Sequence, residues 1–228
     1  KVGQGFYRYE DGKAQVADEA PAPAFDDRPV WVSKVEPEAH EKLLAILHDA
    51  EAMLENGDTP SDDALILVTP IGGDATDCAV AEGLDAERTV AVDTLFGLDK
   101  RRTLMKTAVS RADVADAAHG LLGGGDVPAT VIGDTPGFIA QRAVAAICNI
   151  GCSVAQARTA APEDIDMAVV LALNYPMGPL ALGDSIGAAM VLKILKNIHR
   201  LTGDPRYRPA PWLRRRAELG IPLTTLEA

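Results

Sequence analysis

Cysteine is scarce in this chain, positive charge is in deficit, and no apolar run is long enough to cross a bilayer. Three cysteines in 228 residues cannot all pair. Cys148 and Cys152 stand four residues apart in an apolar stretch, with no histidine or further cysteine at metal-ligand spacing. Buried, reduced thiols are expected, no metal is called for, and the absence of a signal peptide or spanning segment makes a cytoplasmic address without membrane contact the expectation. With 22 Lys and Arg against 33 Asp and Glu, the net charge of -11 sets up a field that repels polyanions, so nucleic acid is excluded as a partner. The two basic runs, Lys100-Arg101-Arg102 and Arg214-Arg215-Arg216, read as solvated faces before they read as anion sites.

What is present is ordinary globular material, 47% hydrophobic and 24% charged, enough for one large domain or two small ones. Residues 14–28 are mostly Ala, Pro, Asp and Glu, which reads as an exposed linker. From 29 to 133 short apolar runs alternate with helical patterns, the mark of a parallel sheet covered by helices. Strands are expected at Val30–Ser33, Ala64–Thr69, Thr89–Val92 and Ala129–Ile132. A first helix opens at Pro37, carries Leu43, Leu47, Ala50 and Leu54 as one stripe and stops at Gly57. Helices over Ala75–Glu82 and Ala112–Leu122 follow. Beyond Asp134 strand signals cease. The small-residue run from Phe138 to Arg158 reads as a central buried helix, followed by helices opening at Pro162, spanning Ser185–Leu201, and running from Tyr207 to Glu218.

Four stretches carry a resemblance: Gly3-Gln4-Gly5-Phe6-Tyr7; Asp134-Thr135-Pro136-Gly137-Phe138-Ile139-Ala140-Gln141-Arg142; Glu163-Asp164-Ile165-Asp166; and Tyr175-Pro176-Met177-Gly178-Pro179 leading to Asp184. Together they resemble the 3-hydroxyacyl-CoA dehydrogenase family, most nearly its 3-hydroxybutyryl-CoA type. The resemblance implies an α/β plus all-α architecture: a reduced Rossmann-like parallel sheet (29–133) followed by the family's helical C-terminal domain (134–228). In that family the Gly-Phe-Tyr motif closes the helical domain, yet here it comes first. Residues 1–13 are thus expected to end a preceding helical domain, in a parent enzyme with a duplicated C-terminal part.

The same resemblance implies a parent that oxidises 3-hydroxyacyl-CoA with NAD(P) in fatty-acid metabolism, while this part binds no cofactor and performs no chemistry. No Gly-x-Gly-x-x-Gly run is present, and Ile71-Gly72-Gly73-Asp74 lacks the third glycine and places an anion where a pyrophosphate would sit. Where the family holds a catalytic histidine this sequence reads Val92-Asp93-Thr94-Leu95-Phe96-Gly97, and where an orienting glutamate would follow it reads Thr103-Leu104-Met105-Lys106. General base chemistry on a hydroxyl at neutral pH asks for such an imidazole. The family's serine-bearing turn falls near Thr69-Pro70-Ile71-Gly72, and its catalytic asparagine is replaced by Gln141, which leaves that amide doubtful as a catalytic group. His40, His48, His119 and His199 belong to no recognisable dyad and read as surface or helix-end residues. Structural or interface roles are expected for Gly137, Phe138, Arg142, Asp166, Tyr175, Pro176, Gly178, Pro179 and Asp184. Asp184 would cap the following helix, and Arg142 would alternatively pair with Asp166 or Asp184. The expected partners are upstream domains of the same enzyme and further copies of the chain. The alternative is an independent interaction or acyl-CoA binding module, for which only Arg101, Arg102 or Arg214–Arg216 could supply a basic pocket.

Overall fold

The computed structural model describes residues 8–10, 13–15 and 19–227. The Gly3–Tyr7 motif lies outside the described residues. Strands β1 (Arg8–Glu10) and β2 (Lys13–Gln15) form a small antiparallel pair, so part of the expected linker is a strand. The later linker also packs: a Cβ added to Gly120 would lie 2.5 Å from the Pro23 carbonyl oxygen, and Phe25 joins the apolar core beneath.

A six-stranded sheet follows, built from β3 (Val30–Val32), β4 (Leu54–Glu55), β5 (Leu65–Val68), β6 (Thr89–Val92), β7 (Arg102–Lys106) and β8 (Ala129–Ile132), in the order β4-β3-β5-β6-β7-β8. β5 and β6 are buried along their whole length, so they read as continuous apolar runs instead of alternating ones. Leu65 and Leu67 face a core made with α1 (Pro37–Asp49) and α3 (Ala112–Gly123). Ile66 and Val68 face the opposite core, shared with α2 (Ala75–Glu82) and Phe138.

Three corrections to the sequence reading have physical causes. α1 stops at Asp49, and after Ala50 and the left-handed Glu51 (φ 53°) the chain returns as β4 beside β3, so Leu54 belongs to a strand. β7 was not foreseen, and it runs antiparallel to β6 in an otherwise parallel-dominated sheet. The segment 93–101 carries no helix and is too short for a parallel crossover, so the chain must reverse. The long helix starts at Ala140, because Gly137 (φ 74°) and Phe138 (φ 48°) form a left-handed turn before it.

The helical unit comprises α4 (Ala140–Gln156), α5 (Pro162–Leu173), α6 (Pro179–Ile186), α7 (Ala188–Thr202) and α8 (Pro211–Leu219). α4 is central, with Ala145, Cys148, Cys152 and Ala155 in a core shared with α6, α7 and α8. α6 was missed because Tyr175-Pro176 and Pro179 read as loop, yet Pro179 occupies the first turn, where a missing N–H costs nothing.

Candidate functional site

Positions that the family resemblance assigns to catalysis come together where the sheet meets α4. Gln141 projects from the first turn of α4 and is fully buried. Its Oε1 accepts from the Gly72 amide at 2.7 Å, and its Nε2 donates to the Pro70 carbonyl at 3.1 Å and to Asp93 Oδ1 at 2.9 Å. Both amide hydrogens are therefore committed to the protein. Asp93, at the end of β6, also accepts from the Leu95 amide at 3.1 Å. Burial raises its pKa, against the opposing effect of the Gln141 and Leu95 hydrogen bonds. The hydroxyls of Thr69 and Thr94 at the ends of β5 and β6 are buried without a partner among the described residues.

The starts of α1 and α2 offer no open amides to the phosphates of a nicotinamide dinucleotide. Asp74 caps α2 by accepting from the Asp77 amide at 2.8 Å, and Asp134 accepts from the Ala75 amide at 2.9 Å, the Thr76 amide at 3.3 Å and the Thr76 hydroxyl. Two carboxylates thus consume the amides that a pyrophosphate would need. The start of α1 presents Glu36, Pro37 and Glu38, two anions and a residue without an N–H. No group of three or more His, Cys, Asp or Glu that could hold a metal exists among the described residues.

The remaining named residues divide by what they touch. Asp166, on α5, accepts from the Leu180 and Ala181 amides at 2.8 and 2.9 Å and so caps α6 from outside. Gly178 crosses directly over Asp166, where an added Cβ would overlap the Asp166 side chain and backbone. Pro179 packs on Gly151 of α4. Asp184 lies inside α6 and caps no following helix. Its carboxylate instead accepts from the Leu223 amide at 2.6 Å and from the amide and hydroxyl of Thr224 at 3.3 and 2.9 Å, binding the C-terminal segment to the bundle. Both acids being so engaged, Arg142 pairs with neither, and it is half-buried without an ion pair among the described residues. Gly137 approaches Ile198 of α7, and Phe138 is fully buried against the sheet. Tyr175, Pro176 and Met177 form an exposed loop.

The basic runs are not uniformly solvated. Arg216 is 3% exposed and lies 3.2 Å above the Trp212 ring centroid, with the Thr225 carbonyl at 2.7 Å. Arg102 donates to the Leu98 and Leu122 carbonyls. Arg214 pairs with Glu218 and Arg101 with Glu19. Cys148 and Cys152 are buried, and burial pushes both thiols up to about 12, while Cys78 is half-buried and raised likewise. None of the four histidines forms an ion pair with a carboxylate among the described residues; His40 Nδ1 lies 3.0 Å from the Ser33 carbonyl oxygen.

Between the sheet and the helical unit runs a cleft of about 740 Å³, lined by Glu36, Lys42, Thr94, Phe96, Met190 and Lys193 among others. Sequence reasoning missed its far wall. Lys193, Asn197 and Arg200 recur at spacings of four and three along α7, a polar stripe on a strongly apolar helix, and that stripe was the available signal.

Residues 137–223 match the model of the 3-hydroxyacyl-CoA dehydrogenase C-terminal domain. A 3-hydroxyadipyl-CoA dehydrogenase of Escherichia coli K12 is 35% identical over 164 residues, 72% of this chain and 33% of that relative. The solved 3-hydroxybutyryl-CoA dehydrogenase of E. coli K12 superposes with a TM-score of 0.59 at 33% identity, covering 67% of this chain and 31% of that one. The (S)-3-hydroxybutyryl-CoA dehydrogenase of Ralstonia eutropha shares the fold, with a TM-score of 0.63 at 21% identity over 84% of this chain and 65% of its own. The chain spans about a third of the length of the curated relatives it matches. Residues 137–223 therefore carry the C-terminal domain of the 3-hydroxyacyl-CoA dehydrogenase family.

Proposed function

We propose that this chain is the non-catalytic C-terminal part of a 3-hydroxyacyl-CoA dehydrogenase, in which NAD(P)-dependent oxidation of 3-hydroxyacyl-CoA to 3-oxoacyl-CoA takes place on upstream domains and this part serves packing or dimerisation. The observation that carries the reading is the closed polar network of Gln141, Asp93, Pro70 and Gly72. An amide that must orient a substrate needs a free donor, and here both hydrogens are spent on the protein. Asp93 replaces an imidazole with a buried carboxyl that has neither a cation nor a histidine beside it among the described residues. In this division residues 29–133 are a degenerate sheet domain and 134–228 the helical domain.

The packing role rests on α5. Met167, Leu171 and Leu173 are 57%, 76% and 60% exposed, and Tyr175 and Met177 extend the same apolar stretch. A helix apolar on its outward side is normally covered by another surface, and an upstream helical domain or a second copy would supply one.

Two measurements test the reading. The purified, folded chain given acetoacetyl-CoA and NADH should show no turnover, whereas turnover scaling with protein concentration would place an active site in this part. Leu171→Glu with Met167→Glu should abolish association with the upstream domains, or self-association in sedimentation velocity, without lowering thermal stability. An unchanged association would remove α5 from the interface.

A further inference from the structure

The junction between the two units is fastened by one face of α7. Lys193 Nζ lies 2.6 and 2.7 Å from the two carboxylate oxygens of Glu36 at the start of α1. Asn197 Nδ2 donates to the Ile71 carbonyl at 2.7 Å, and Arg200 donates to both oxygens of Asp77 on α2, at 3.1 and 2.6 Å. The middle point is neutral and close: a Cβ on Gly72 would lie 2.5 Å from the Ile194 carbonyl oxygen and 2.7 Å from its Cα. The outer points are ionic and partly exposed, with side-chain exposures of 44% for Lys193 and 25% for Glu36, and 55% for Arg200 and 27% for Asp77. The helical unit supplies the cations and the sheet unit the anions.

Glu36 and Lys193 also line the 740 Å³ cleft, one from the sheet unit and one from the helical unit. We propose that α7 is a latch, with a neutral fulcrum at Gly72 and Asn197, whose Lys193–Glu36 end gates the cleft: breaking that pair lets the cleft widen about the fulcrum. Exposed pairs are weakened by salt while the fulcrum is not, so the gate responds to ionic strength. The latch belongs to the junction alone, whether or not the chain catalyses.

The test is the distance between spin labels on Glu41→Cys in α1 and Ala189→Cys in α7, in a Cys78→Ala background, measured by pulsed electron resonance. At low salt one narrow distance is expected. At ~1 M salt, where the screening length falls to about 3 Å, a second, longer population should grow, with the open-to-closed ratio rising by up to about fivefold. Glu36→Lys should show that population at every salt concentration, and Glu36→Lys with Lys193→Glu should restore the narrow distance. A single unchanged distance through the salt series overturns the proposal, and that series needs no latch variant to fold.

Discussion

Gly178 and Asp93 show what single positions decide. Gly178 has an ordinary φ of -71°, so its requirement comes from space: the Asp166 side chain and backbone occupy the volume of a Cβ. Gly178→Ala should therefore cost about 1–3 kcal/mol, read as a lower urea midpoint with an unchanged slope. At Asp93 burial is the first cause of the raised pKa. A raised carboxyl pKa means that the folded chain holds its proton more tightly than the unfolded one. Its contribution to stability is thus most favourable below the unfolded value and is lost as pH rises through the folded value. Asp93→Asn keeps acceptors for Gln141 and Leu95 without the charge, so it should raise the denaturation midpoint at pH 7 and leave it nearly unchanged at pH 3. An equal shift at both would show that Asp93 carries no desolvation penalty.

At the scale of elements, carboxylates on neighbouring segments determine where helices and the C-terminal segment settle. Asp166 caps α6 across space, and Asp166→Ala should lower stability by about 0.5–2 kcal/mol, with the loss of amide protection centred on Leu180 and Ala181. Asp184 holds residues 223–224, and the Trp212 indole donates to the Leu223 carbonyl at 2.9 Å. Asp184→Ala should accordingly speed hydrogen exchange at Leu223 and Thr224 while leaving α4 protected. Equal acceleration in α4 would mean that the segment and the bundle open together. Most helices were legible in the sequence because their apolar periods and turn residues are local: α2 falls on its expected bounds, and α3 and α5 nearly so. β4, β7 and α6 were not, since two of them exist by pairing with strands distant in sequence and the third by a cap from another helix.

For the whole molecule, Phe138 joins the two units. It sits in a left-handed turn, fully buried among Trp31, Ile66, Val68 and Met105 of the sheet, directly before the central helix of the bundle. Phe138→Ala should cost about 3–5 kcal/mol. Because the turn also anchors α4, the loss should appear in near-ultraviolet and far-ultraviolet circular dichroism at the same midpoint; two separated transitions would show that the units unfold independently.

The sequence by itself determined the sheet-then-bundle order, the central small-residue helix and the family resemblance, because periodicity, turn residues and short motifs act over a few neighbours. It also showed that histidine is absent from the place where the family keeps one. Only the tertiary structure decided that Gln141 spends its amide on Asp93 and the β5 loop, that Asp184 holds the C-terminal segment instead of a helix start, and that Lys193, Asn197 and Arg200 fasten one unit to the other. Those partners lie tens of residues or more apart, and a polar side chain's partner depends on which backbone groups packing leaves unsatisfied beside it, a condition that exists only once the chain has folded.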